Sequence, residues 1–89
     1  MKSHTTEKFR NIFNQLPKEI QNKAQKAYAL WKKDPSHPSL QFKPIQSNKS
    51  VYSVRIDRDW RVLGIKEDGF MVWFWIGSHS DYGRLIGQL

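Results

Sequence analysis

The chain is 89 residues long and carries 15 lysines and arginines against 8 acidic residues, a net charge of +7. That length predicts one domain over residues 1–89, with a modest core that four tryptophans, three tyrosines and five phenylalanines can fill without staples. The absence of cysteine excludes disulfides and thiolate metal sites, and an isoelectric point near 9.9 points to polyanions as partners: nucleic acid, an acidic protein, or both.

The opening "MKSHTTEKFRNIF" holds no apolar run of signal-peptide length, and no segment is long enough to span a membrane. A cytoplasmic protein with no membrane partner is the expectation. Residues 1–4 are expected to add at most a short edge strand. Phe9, Ile12, Phe13 and Leu16 then fall at helical spacing, with Thr5 or Thr6 to cap the start and Leu16-Pro17 to end the helix. Pro17 suits the first position of a second helix, whose apolar face is Ile20, Ala24, Ala27, Tyr28 and Trp31. Lys18, Lys23, Gln25, Lys26, Lys32 and Lys33 are its wet positions, and "DPSHPS" (Asp34 to Ser39) stops it.

After Ser39 the period changes from helix to strand. "LQFKPI" (Leu40 to Ile45) alternates, with Pro44 restricting it to an edge or a strand end. "VYSVRI" (Val51 to Ile56) puts Tyr52, Val54 and Ile56 on one face and Ser53 and Arg55 on the other. "DRD" (Asp57 to Asp59) predicts a turn, "WRVLGIK" (Trp60 to Lys66) a strand, "EDG" (Glu67 to Gly69) another turn and "FMVWFWI" (Phe70 to Ile76) the last strand. Seven straight apolar residues place that strand inside the sheet, covered on both faces, with Gly77 turning the chain after Ile76. The expected fold is α+β: a helical hairpin packed on a twisted, mainly antiparallel sheet of about four strands, with a short helical tail.

"LPKEIQNKAQKAYALWKKDPSHPSLQFKPI", "YSVRIDRDWRVLGI" and "WFWIGSHSDY", in that order, resemble the RelE/ParE superfamily of toxins from bacterial type II toxin–antitoxin pairs. The resemblance covers nearly the whole chain; its motifs are short, and their order carries it. It implies an antitoxin that wraps the toxin and one of two activities. RelE-like and HigB-like members cut messenger RNA on the ribosome without metal or cofactor, the RNA's 2′-hydroxyl attacking the adjacent phosphate. ParE-like members inhibit DNA gyrase and lack the cleavage residues. An inactive solitary homologue is the third reading.

Cleavage of that kind needs a base, a cation at the phosphorane and an acid for the leaving oxygen. By resemblance, Arg61 matches the strand arginine that contacts the scissile phosphate, and Arg55 a basic residue on the preceding strand. An ion pair of Arg61 with Asp57 or Asp59 is the structural alternative. The register of the "DRD" hairpin decides whether the two arginines share a face. RelE-like members carry a lysine where this chain has Ser53, and Lys43 on the neighbouring strand is the candidate replacement. In the tail, His79 is the candidate proton carrier, because an ordinary pKa of about 6.5 suits both taking and giving a proton. Asp81 is the candidate to orient it, and Tyr82 to bind phosphate or position a base. The competing reading makes Ser78 or Asp81 a helix cap and leaves His79 in solvent. Trp60, Trp73 and Trp75 offer faces for base stacking, but two of the three are expected in the core. His4 and His37 have no partners at metal spacing.

Overall fold

Strand β1 (Lys2–Thr5) leads directly into helix α1 (Glu7–Asn14) and helix α2 (Lys18–Lys33). A single 3-10 turn (Pro38–Leu40) precedes strands β2 (Lys43–Pro44), β3 (Val51–Asp57), β4 (Trp60–Glu67) and β5 (Phe70–Ser78), and helix α3 (His79–Ile86) follows. This structure, a computed structural model, describes residues 2–89. The sheet has five strands rather than about four, in the order β1-β5-β4-β3-β2. The extra strand is the N-terminal segment, which pairs parallel to β5 from Lys2 opposite Phe70 to Thr5 opposite Trp73. Every other pairing is antiparallel.

Thr6 caps α1 by accepting from the Phe9 amide (3.0 Å). Pro17 stands as the N-cap of α2 rather than as its first helical residue. Gln21 fastens the corner between the helices, its amide nitrogen donating to the carbonyls of Phe13 (3.0 Å) and Leu16 (3.2 Å). Beyond that corner the two helices diverge, α1 lying over β5 and α2 over β3. An apolar cleft of about 660 Å³ opens between them, lined by Phe9, Phe13, Ala27, Trp31, Val62 and Trp73 among others. No residue of α1 is fully buried, and Tyr28, expected on the apolar face of α2, is 40% exposed, its hydroxyl bonded to Ser3 Oγ (2.7 Å).

The core under the helices is aromatic. Trp31 meets Trp73 edge to face at 5.1 Å, with Leu40, Val54 and Met71 packed around them. Both indole N–H groups are buried without an acceptor among the described residues, a cost offset by the aromatic area they bury. On the opposite face of the sheet, Ile45, Val51 and Leu63 pack under Tyr82, Leu85 and Ile86 of α3. β5 is thus interior and covered on both faces, as its composition requires.

Two tryptophan rings of β5 need glycine beside them. A Cβ on Gly64 would lie 2.5 Å from the Trp73 ring, and one on Gly77 would lie 2.5 Å from the Trp75 ring. Gly77 is therefore a strand residue, paired with Arg61, and β5 runs on to Ser78 instead of ending at Ile76. Between Trp73 and Trp75 the register against β4 slips by one residue, leaving Phe74 as the extra residue of a bulge. Gly64→Ala is expected to lower stability by about 1–3 kcal/mol, because the ring it meets is locked in the core. Gly83→Ala, where a Cβ meets nothing within 4 Å on a helix, is expected to be neutral or stabilising by up to about 1 kcal/mol. Chemical denaturation of the two variants beside the parent checks both.

Candidate nucleic-acid site

The hairpin between β3 and β4 turns at Arg58 and Asp59, with Asp57 opposite Trp60. A two-residue turn alone would pair Ile56 with Arg61 and send Arg55 and Arg61 to opposite faces. Instead the register slips between Arg55 and Asp57, Ile56 becomes an extra residue, and Arg55 stands directly opposite Arg61. Both arginines therefore occupy the α3-covered face, near the start of β4. Both are half-buried.

Asp57 builds the turn. Its carboxylate accepts from the Asp59 amide (2.8 Å) and from Lys23 Nζ on α2 (3.2 Å), and Lys23 also reaches Glu19 (3.6 Å). Burial opposes the ionisation of Asp57, but the Asp59 and Trp60 amides and the Lys23 ammonium outweigh it and hold its pKa below the usual 3.8. The same pair raises the pKa of Lys23 above 10.5. With its carboxylate committed to Lys23 and the turn, Asp57 does not salt-bridge Arg61. The Asp57 carbonyl, and not its carboxylate, takes the guanidinium: Arg61 Nη1 donates to Asp57 O (2.6 Å) and to Trp60 O (3.1 Å). That uses one terminal nitrogen and leaves the Nε and Nη2 protons without a protein acceptor among the described residues. Burial, and then the like charge of Arg55, lower the pKa of Arg61; Tyr82, Asp57 and Asp59 act the other way. The guanidinium stays charged at neutral pH regardless.

The tail arrives beside this pair because Gly77 is the cross-strand partner of Arg61. The His79 amide donates to the Asp59 carbonyl (2.7 Å), which ties the first residue of α3 to the β3–β4 turn. The His79 ring is exposed and stacks on Tyr82, centroids 6.0 Å apart. Arg55, Arg61, Tyr82 and His79 thus gather at one end of one face. Asp81 does not join them: its carboxylate pairs with Arg84, which together with the Ser78 bond lowers its pKa, and the cap of α3 is Ser78 Oγ, accepting from the Asp81 amide (3.1 Å). Lys43 pairs with Ser53, two residues along from Arg55 on the same face. Ser53 itself is buried, at 4% exposure. Trp73 is core, while Trp60 and Trp75 are half-buried. His37 caps the 3-10 turn, its Nδ1 accepting from the Ser39 amide (3.2 Å), and His4 lines the apolar cleft.

Both the fold and the sequence have counterparts among known proteins. A family model described as the ParE-like toxin domain matches residues 18–84, from the start of α2 into α3. The chain belongs to this toxin family. No curated protein sequence matches this ParE-like toxin. Among solved structures, YafQ from E. coli aligns with a TM-score of 0.71 at 16% identity, covering 90% of this chain and 94% of that one. The YoeB/ParE toxin from Agrobacterium tumefaciens aligns at 0.68 and 15%, covering 89% and 99%. The RelB–RelE antitoxin–toxin complex from Methanococcus jannaschii aligns at 0.72 and 11%, covering 91% and 95%. At these identities the ParE-like toxin shares their RelE-like fold.

The Asp57–Lys23 pair has a predictable pH signature. Because the pKa of Asp57 is lowered on folding, its contribution is present above 3.8 and is lost as pH falls through the lower folded value. The raised pKa of Lys23 makes its share hold below 10.5 and fade as pH rises beyond it. Asp57→Ala is expected to cost about 1 kcal/mol at pH 7, with the gap to the parent closing below pH 3.8. Urea titrations of both proteins from pH 7 down to pH 2 measure it.

Proposed function

We propose that this toxin is the ribonuclease half of a type II toxin–antitoxin pair, an mRNA interferase that cuts translated mRNA at the ribosome. The observation that carries the reading is Arg55 facing Arg61 across neighbouring strands, two like charges with no carboxylate partner among the described residues. Such a pair is unfavourable in the free protein and becomes favourable when a phosphate lies between its members. Arg61, anchored through Nη1, has an unused edge suited to bidentate contact with phosphate oxygens.

In this reading the RNA 2′-hydroxyl attacks the adjacent phosphorus, its proton passing to a base while the bond to the 5′ oxygen breaks and that oxygen takes up a proton. A 2′,3′-cyclic phosphate and a 5′-hydroxyl result. The two arginines hold the negative charge that accumulates on the phosphorane. His79 is the proton carrier, and Tyr82, stacked on it and close enough to perturb Arg61, sets its position and bonds a phosphate oxygen. Asp81 has no part in orienting His79, and Lys43 serves as a backbone contact further along the strand.

The partner is an antitoxin. YafQ has been solved in complex with DinJ, and RelE in complex with RelB. With a net charge of +7, this chain's own antitoxin is expected to present an acidic segment, held less tightly as salt rises.

Arg61→Ala and His79→Ala are each expected to abolish growth arrest on induced expression and to lower cleavage of a translated reporter mRNA by on the order of a hundredfold. His79→Ala should leave the melting temperature nearly unchanged, since the ring is exposed. Primer extension on the reporter, with thermal melting of the same proteins, reads both effects. A parent protein that arrests growth with mRNA intact and gyrase–DNA cleavage complexes accumulating would replace this reading with the gyrase inhibitor. A protein harmless when expressed alone would point to an inactive homologue.

A further inference from the structure

A second basic site lies around the edge of the sheet from the arginine pair. Between α2 and β3 is a small cleft of about 250 Å³ whose walls carry Lys23, Lys26, Ser39 and Arg55 over an apolar floor that includes Leu30 and Leu40. Lys23 and Lys26 are three residues apart on α2 and so share a helix face. Arg55 borders the cleft at the edge of β3 that β2 leaves unpaired, since β2 pairs only with Tyr52 and Ser53. Leu40 is almost fully buried at 2% exposure, and an apolar floor strengthens the field of the cations above it.

The charges in the cleft are unequally satisfied. Lys23 is held by Asp57 and Glu19, which fixes its position and neutralises much of its charge. Lys26 and Arg55 have no carboxylate partner among the described residues. Arg55 also lies close enough to Arg61 for the two charges to repel. A continuous strip of cations therefore runs from Arg61 through Arg55 to Lys26, crossing from one face of the sheet to the other at its open edge.

We propose that this cleft is a second phosphate subsite, in which Lys26, backed by Lys23 and the Ser39 hydroxyl, holds a backbone phosphate of an RNA strand whose scissile phosphate lies between Arg55 and Arg61. The inference rests on the ribonuclease reading and adds the path of the strand. RNA fits better than an acidic protein segment because the strip is continuous with the arginine pair, and a nucleic-acid backbone presents anions at regular intervals along just such a line.

Lys26→Glu tests it, with Lys8→Glu on α1 as the control for the same change in net charge. The probe is a six-nucleotide 2′-O-methyl RNA, which binds without being cut, titrated at several NaCl concentrations. Lys26→Glu is expected to weaken binding roughly tenfold and to reduce the slope of log affinity against log salt by about 0.7. Lys8→Glu should do neither to that extent. Lys26→Glu should need roughly tenfold more toxin than the parent to reach the same rate of cleavage of programmed ribosomes. Equal affinity and slope for Lys26→Glu and the parent, with the parent binding RNA and cutting mRNA, would overturn the subsite and leave the ribonuclease reading standing. A parent that neither binds nor cuts RNA would overturn both. Loss of antitoxin binding in Lys26→Glu, with RNA binding intact, would assign the cleft to an acidic protein segment and overturn the proposal.

Discussion

Two arginines face each other across β3 and β4, and much of the local architecture exists to hold them there. Like charges directly opposite on a sheet repel, so the arrangement survives only because its surroundings over-determine it. Asp57 fixes the turn through the Asp59 amide, and Lys23 fixes Asp57. Two backbone carbonyls pin one end of the Arg61 guanidinium. The extra residue at Ile56 converts a hairpin that would separate the arginines into one that opposes them. A one-residue shift in register sets the two arginines together, and the stability it forgoes is recovered from the core.

That core rests on β5. Trp73 serves the helix-covered face, and Trp75 with Phe74 serves the face under α3. The bulge at Phe74 turns Trp75 to the face opposite Trp73, and Gly64 and Gly77 provide the space into which the two indole rings fold. Gly77 is thereby doubly constrained: it lies under the Trp75 ring and pairs with Arg61, so the same residue that completes the packing brings the start of α3 to the arginines. The tail needs little else. Ser78 caps α3, Asp81 and Arg84 pair on its surface, and the His79 amide bonds the turn.

Much of this was legible in the sequence, for identifiable reasons. The Phe9–Leu16 stripe and the alternation of Val51–Ile56 each match one period only, and Pro17 and the Asp34–Ser39 segment mark the two ends of α2. "EDG" supplies the left-handed positions of a tight hairpin, and both Asp68 and Gly69 have positive φ. The register of β3 on β4 was not legible. β4 is apolar on both faces at Val62 and Leu63, so a slip of one residue exposes nothing and the pattern fits either register. β1 was only faintly visible, because "KSHT" is polar and owes its strand to pairing with β5. Asp81 was ambiguous for a different reason: an acid in the first turn of a helix can cap it, pair along it or face a neighbour, and only the position of Arg84 selects among these.

The claim that the arginine pair is held against its own repulsion for the sake of an anionic ligand can be tested in the free protein. The measurement is the chemical denaturation midpoint of Arg55→Gln beside the parent, taken at low and at high NaCl. Relief of repulsion predicts that Arg55→Gln is the more stable protein at low salt, with the advantage shrinking as salt screens the parent's charges, while growth arrest is lost. A variant less stable than the parent at low salt would contradict the account, since it would mean that Arg55 is retained for structure and that the opposition of the two arginines is incidental.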